Sequence, residues 1–281
     1  MSKKIVAIGG GTIGELITDF EKQPYETEVM DTEIIRLSDT STPNILFIGF
    51  ADPTYSEQYF SLINEIYTKR YNCRCKHLSL NILSNKTLVN DYFNWADAVY
   101  VGGGNTYTLM QILHKYGIDK KLLEAYNQGK VMSGISAGGI CWFSYGNSII
   151  PTDENRELIK LKCLELRKMI FAPHCDEING HFENVENLLK GESLTGLSLS
   201  NACAIEIIDD KYRIITSDTN RYKIPPFALK SFWDNNKYYV ENVDILDSFE
   251  DYEKLLKPEP TGKDAPEEVK KLLRRRNIYF K

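Results

Sequence analysis

Between Asn44 and Phe50 the chain reads NILFIGF, an almost unbroken apolar run. A half-exposed strand would alternate apolar and polar residues, so a run of this kind predicts a strand covered on both faces. Covering both faces calls for helices, and one follows directly. In Ser56–Tyr71 the residues Tyr59, Phe60, Ile63, Ile66 and Tyr67 share one helical face. The couplet recurs along the chain. Strand-like runs fall at Lys4–Ile8, Arg74–Leu80, Ala98–Val101, Val131–Ser133 and Met169–Ala172. Helical spacing falls at Lys86–Trp95, Thr106–Tyr116, Lys120–Gln128 and Glu183–Leu189. Ala204–Ile208 and Tyr212–Thr216, separated by Asp209-Asp210-Lys211, read as a hairpin. This alternation predicts a three-layer α/β fold around a mostly parallel sheet.

A chain of 281 residues can bury one large core or two small ones. Residues 1–249 read as a single α/β domain. Residues 250–281 are charged, carry Pro258, Pro260 and Pro266, and read as an appended C-terminal extension. Its basic run, Lys270 to Arg276, reads as a solvated helix face. A net charge of -5 argues against a nucleic-acid or anionic-membrane binder, since both need a basic surface. No apolar run approaches the roughly 18 residues that span a bilayer. The opening MSKKIVAIGGG lacks the long apolar core of a signal peptide, so a cytoplasmic protein is expected. Of Cys73, Cys75, Cys141, Cys163, Cys175 and Cys203, only the first two are close-spaced, and no second pair completes a zinc site. They read as reduced thiols.

In parallel α/β sheets, ligands bind at the carboxyl ends of the strands. Gly102–Gly104, Gly134–Gly139 and Pro173-His174 all fall there. Gly134-Ile135-Ser136-Ala137-Gly138 fits G-x-S-x-G, in which glycines permit a tight strand-to-helix turn that projects the serine hydroxyl. Ile140-Cys141-Trp142-Phe143 is expected to open the helix beyond it. A common βα-turn serine is the plain alternative; strand, elbow and glycines together favour Ser136 as a nucleophile. A serine needs a base within hydrogen-bond reach. Of His77, His114, His174 and His181, only His174 stands at a strand's carboxyl end, against the plain alternative of a strand cap. An acid would orient its imidazole. Asp153, Glu154, Asp176 and Glu177 are the candidates, with Asp153 or Asp176 preferred. The N–H of Ala137 and that of Gly103 are natural oxyanion donors. Gly104, Asn105 and Thr106, opening a helix, are expected to bind the substrate through its N-terminus.

A competing signal stands at the start. Gly9-Gly10-Gly11-Thr12-Ile13-Gly14 fits G-x-G-x-x-G after a first strand, with Asp31 and Glu33 near the place of a ribose-binding acid. The segment after it is short and polar for the helix of a dinucleotide unit, which makes nucleotide binding the minority reading.

Three phrases, VGGGNTYTL (Val101–Leu109), GISAGGICWF (Gly134–Phe143) and APHCDE (Ala172–Glu177), together resemble the peptidase E family, serine peptidases related to aspartyl dipeptidase and cyanophycinase. The opening AIGGG is similar as well, and the likeness covers roughly residues 4 to 220. It implies a fold like class I glutamine amidotransferases (flavodoxin-like), with Ser136 as nucleophile, His174 as base, and Gly103 with Ala137 as oxyanion donors. The implied reaction is hydrolysis of dipeptides or small peptides through an acyl-enzyme, Asp-X dipeptides among the candidates, with no metal or organic cofactor. The chain departs from the pattern at two places. Ile149 and Ser200 stand where the resemblance leads one to expect acids. The stretch Trp142 to Ile150 carries no charge, where an arginine for a substrate aspartate is expected; Arg156 and Lys160 are the nearest substitutes. The second hypothesis is therefore a catalytically impaired small-molecule binding or regulatory protein on the same fold. A carboxylate at His174 would favour the enzyme and an apolar neighbour the binder. A homodimer is expected only because homo-oligomers are common.

Overall fold

The structure, a computed structural model, describes residues 1–13, 24–152, 154, 157–177, 180–218 and 225–274. The first half alternates strands and helices: β1 (Lys4–Ile8), α1 (Glu28–Leu37), β2 (Asn44–Ile48), α2 (Ser56–Tyr71), β3 (Arg74–His77), α3 (Lys86–Trp95), β4 (Ala98–Val101), α4 (Thr106–Tyr116), α5 (Ile118–Asn127), β5 (Val131–Ile135) and the short α6 (Ala137–Ile140). The second half is rich in strands: β6 (Phe143–Ile149), β7 (Leu158–Lys162), β8 (Arg167–Ala172), α7 (Val185–Leu189), β9 (Gly196–Leu199), β10 (Cys203–Ile208), β11 (Lys211–Thr216), β12 (Ala228–Asp234), β13 (Lys237–Asn242), β14 (Glu250–Asp251), α8 (Glu253–Leu256) and α9 (Glu267–Arg274).

The strands form two open sheets. The larger runs β14-β11-β10-β1-β5-β4-β2-β3. Its β1, β5, β4, β2 and β3 are mutually parallel, while β10 and β11 continue it antiparallel. Both faces of the parallel part are buried, as the unbroken apolar runs require. Ile5 and Ala7 of β1 enter one apolar cluster with Leu46, Ile48, Val99 and Val101. Val6 and Ile8 enter the other with Ile45, Phe47 and Tyr100. Successive residues thus serve opposite layers, as strand geometry dictates.

The smaller sheet, β13-β12-β9-β8-β6-β7, is not anticipated by the sequence. It lays Phe143, Phe171, Leu197 and Leu199 into the same cluster as Ile5 and Leu46, so it covers one face of the larger sheet. Here the chain differs from the helix expected after Ser136. The helix ends at Ile140, and Phe143–Ile149 pairs with β8 instead. Trp142 and Phe143 are fully buried, and Phe143 stacks on Phe171 at 4.8 Å. Burying these rings against a neighbouring strand removes more apolar surface from water than a longer surface helix would.

The C-terminal segment lies against the body. β14 pairs with β11, and Tyr252 and Leu255 join the main cluster. In α9, Val269 and Leu273 are buried with Cys175, Phe182, Phe227 and Leu229. Lys270 on that helix is paired with Asp264 and Glu267. Among the described residues, no helix is long and apolar enough to cross a membrane.

Candidate active site

The last residues of β1 and the loop after it organise the site. The Ile8 carbonyl accepts the N–H of Ser136 at 3.0 Å, that of Gly9 accepts His174 at 3.1 Å, and that of Gly10 accepts Ala202 at 3.0 Å. Three turns distant in sequence are thereby pinned to three consecutive peptide groups. Each pinned residue has a positive φ: 55° at Ser136, 52° at His174 and 55° at Ala202. Non-glycine residues occupy this region rarely, and such strain persists only where surrounding contacts enforce it. The glycines make the approach possible. A Cβ on Gly10 would lie 2.1 Å from Asn201 Oδ1 and 2.4 Å from His174 Nδ1. The AIGGG stretch therefore backs the imidazole. Gly14 lies outside the described residues.

Ser136 follows β5 and precedes α6, and its ψ of -117° completes a sharp elbow. Ile140 N–H returns to the Ser136 carbonyl at 2.9 Å, which closes the first turn. Ala137, first in that helix, has no earlier intrahelical carbonyl to accept its N–H. Gly103, after β4, lies against the elbow: a Cβ on it would be 3.4 Å from Ser136 Cβ. Gly104 has φ 137° and abuts the Ala51 backbone. The Asn105 side chain is engaged in structure. Its oxygen accepts Thr108 N–H at 2.8 Å, capping α4, and its nitrogen donates to the Ile149 carbonyl at 2.8 Å. Thr106 is buried.

His174 keeps 24% of its side-chain surface open. Its Nδ1 lies 2.9 Å from Asn201 Oδ1 and 3.5 Å from Glu177 Oε1. The Asn201 nitrogen donates to Asp176 at 3.1 Å and to Glu177 at 2.8 Å, and the Asn201 backbone N–H adds a bond to Asp176 at 2.8 Å. Asp176 thus reaches His174 through Asn201, whereas Glu177 faces the ring. Asp153, the other favoured acid, lies outside the described residues, as does Arg156. At Nδ1 the ring therefore meets an amide and a carboxylate. Burial works against a charged imidazole here, but Glu177, then Asn201 and Asp176, outweigh it and hold His174 above the usual histidine pKa. Burial also pushes the Asp176 carboxyl up, against the Asn201 donors. His181 is pushed down to about 4 by burial and then by the charge of His174. The two other histidines are elsewhere: His77 stacks on Phe60 and bonds Ser56, and His114 pairs with Asp119.

Asn201 is not among the residues that the sequence singles out. The available signal was its place just before a strand that pairs with β1, at the same sheet end as the other turns. The carboxylates Asp31 and Glu33 serve other ends. Asp31 is fully buried and accepts the hydroxyls of Tyr67, Tyr25 and Thr27. Glu33 pairs with Arg36 and Arg213, which also bind the buried Glu206. Beside Ile135, a cavity of about 160 Å³ is lined by Gly11, Thr12, Ile13, Thr27, Tyr59, Tyr100 and Ile135, with no charged side chain among them.

A parallel sheet carrying a serine elbow, with a histidine pinned at the same sheet end, is the architecture of a serine-type hydrolase. The chain belongs to peptidase family S51, whose family model matches residues 5–215, and it is a peptidase-type hydrolase of the serine class. It is 32% identical over 212 residues to the uncharacterized peptidase YgaJ of Bacillus subtilis strain 168, covering 74% of this chain and 85% of that one. Two solved structures share its fold. A peptidase from an acI-B1 actinobacterium superposes with a TM-score of 0.62 at 13% identity, over 89% of this chain and 97% of the other. A peptidase E protein from Listeria monocytogenes EGD-e gives 0.54 at 18% identity, over 78% of this chain and all of the other, 100%.

Proposed function

We propose that the chain hydrolyses dipeptides and other small peptides through an acyl-enzyme on Ser136. The observation that carries this reading is the anchoring of Ser136, His174 and Ala202 to consecutive carbonyls of residues 8–10. Such anchoring fixes a nucleophile and its base relative to each other, which is where proximity and orientation lower a barrier. The Ser136 hydroxyl attacks the scissile carbonyl as its proton passes to His174 Nε2. The N–H groups of Gly103 and Ala137 receive the developing oxyanion. The C–N bond then breaks, and the leaving amine takes the proton from His174. A water molecule gives a proton to His174, adds to the ester, and releases the acid as the proton returns to Ser136.

The cavity beside Ile135 has room for one side chain, and among the described residues it is lined by hydroxyls and aromatic rings and by no cation. A substrate carboxylate there would lose hydration without an ionic partner. Dipeptides with an uncharged first residue are therefore expected to be cleaved faster than Asp-X dipeptides. The test is a dipeptide panel with both kinds, incubated with wild type and Ser136→Ala and read by mass spectrometry. Cleavage that vanishes in the variant supports the reading. Equal cleavage by both removes Ser136 as the nucleophile, and exclusive cleavage of Asp-X members removes the cavity as the first-residue pocket.

A further inference from the structure

One lysine is buried without a contacting counter-ion among the described residues. In β12, Lys230 shares a face with Ala228 and Phe232, since strand residues two apart point the same way. Ala228 belongs to the main cluster and Phe232 is fully buried. Lys230 itself is only 5% exposed. A lysine is seldom so buried unless it is paired. The register sets Glu241 of β13 directly opposite, the natural partner. Yet Glu241 is taken. Its two oxygens accept Thr261 N–H at 2.8 and 3.0 Å, the Thr261 hydroxyl at 2.8 Å and Gly262 N–H at 2.8 Å. Among the described residues, the acceptor for the Lys230 ammonium is the Lys254 carbonyl at 3.1 Å. An ammonium has three donors, so two are left. Burial pushes the Lys230 pKa down, against the charges of Glu241 and Glu259.

Lys230 lines a cavity of about 230 Å³, formed with residues of β13 and of the chain from Glu250 to Lys263. Drug-sized ligands occupy about 300–1,000 Å³, so this space takes a smaller molecule. The lining carries four lysines and four carboxylates. Lys254 pairs with Glu250, Lys263 pairs with Asp244, and Glu241 is saturated. What remains is Lys230 within, and Lys257 and Glu259 at the exposed rim. A plain anion would meet Lys230 but also the charges of Glu241 and Glu259. A plain cation would meet Lys230. A molecule that carries both signs suits both ends. We propose that this cavity binds a free α-amino acid, with its carboxylate on the Lys230 ammonium and its own ammonium towards Glu259. None of the lining residues is among those gathered around Ser136 and His174, so the proposal goes beyond the catalytic reading and does not depend on it. The bound molecule would join β12 to the C-terminal segment, which Lys230 already holds through the Lys254 carbonyl. Peptide hydrolysis is the class of reaction that supplies such a ligand, since it releases free amino acids.

The test uses the full chain, with glycine, L-alanine, L-serine and L-leucine as probes. Isothermal titration reads affinity and thermal unfolding reads stability. The free amino acids are expected to bind and to raise the unfolding midpoint, as a ligand of the folded state must. The N-acetyl acids, which lack the ammonium, and the amino-acid amides, which lack the carboxylate, are expected to bind more weakly. Lys230→Met keeps an apolar stem of similar size and removes the charge. It is expected to weaken binding roughly 10- to 100-fold, the cost of one hydrogen bond to a charged group. Glu259→Gln alters an exposed position and is expected to weaken binding roughly two- to fivefold, as an exposed ion pair would. Ser136→Ala is expected to bind as the wild type does. If none of the four amino acids binds, the proposal fails. Binding that survives Lys230→Met unchanged places the amino acid elsewhere, the active site included, and refutes it as well. Amides or N-acetyl acids that bind as tightly as the free amino acids refute recognition of both charges. Unchanged affinity in Glu259→Gln removes the partner of the ammonium and overturns the proposal, whether or not Lys230→Met folds.

Discussion

Gly10→Ala is a sharp test of how closely the site is built. Gly10 does not have the positive φ found at Gly11, so its backbone accepts alanine without strain. All of the cost comes from one methyl group. That Cβ would lie 2.1 Å from Asn201 Oδ1, 2.4 Å from His174 Nδ1 and 2.5 Å from His174 Cε1. Ordinary contacts of this kind lie near 3.4 Å, so a displacement of about 1 Å is required. Neither neighbour yields easily: His174 is tied to Gly9, and Asn201 is held by Asp176 and Glu177. A 1 Å misplacement of a catalytic group costs on the order of 10²-fold in rate, about 2.7 kcal/mol of barrier. Overpacking should cost roughly 1–3 kcal/mol of stability, which a domain of this size survives. The assay is kcat/KM on the best dipeptide, beside thermal unfolding. A variant within about threefold of wild type would show that the pair gives way freely, and the argument from close packing would fail.

Three further outcomes are expected. His174 must be neutral to act as base, and its pKa is raised, so kcat/KM should fall on the acid side with a midpoint above the ordinary 6.5; a midpoint below that value contradicts the influence of Glu177. Asp31 is raised from 3.8 to about 6, chiefly by burial. A carboxyl that binds its proton more tightly when folded favours the folded state at low pH, and that advantage is lost as pH rises. The loss is about 3 kcal/mol in all at 1.36 kcal/mol per unit, most of it between pH 4 and 7. The stability difference between wild type and Asp31→Asn, from denaturant curves, should therefore shift against the wild type over that range; a pH-independent difference sinks the idea. Leu273→Ala removes a fully buried side chain of α9 beside Cys175, and about 2–4 kcal/mol of stability should go with it; a loss under 0.5 kcal/mol would mean α9 is not anchored there.

The parallel strands were readable because each is a short apolar run followed by an amphipathic helix, and Ser56–Tyr71, Lys86–Trp95 and Thr106–Tyr116 match their helices residue for residue. The turns carrying Ser136 and His174 were readable because glycine or proline marks the carboxyl end of an apolar strand. The second sheet was hidden by composition. β12 is ALKSFWD, and its Lys230 and Ser231 suggest an exposed strand. Yet Lys230 is buried, with its ammonium on the Lys254 carbonyl. β9 is only GLSL, too short to show a period. The bonding around Asn201 was hidden for another reason: Asp176 and Asn201 lie 25 positions apart, and only the fold brings them together. The acid was sought as a residue type, whereas the structure sets an amide in front of two acids.

The place of β1 has a consequence for how the molecule is made. β1 is made before both of its sheet partners, but in the sheet it lies between β5 and β10. One edge of β1 waits for β5, which begins at Val131, and the other for β10, which ends at Ile208. The carbonyls of residues 8–10 find Ser136 only after β5 is out, and Ala202 only after β10 follows. Closing such distant contacts is also the slow part of folding. Ser136 can therefore be pinned to Ile8 before the turns carrying His174 and Ala202 have been made. The site as a whole is therefore assembled only once β10 has paired with β1.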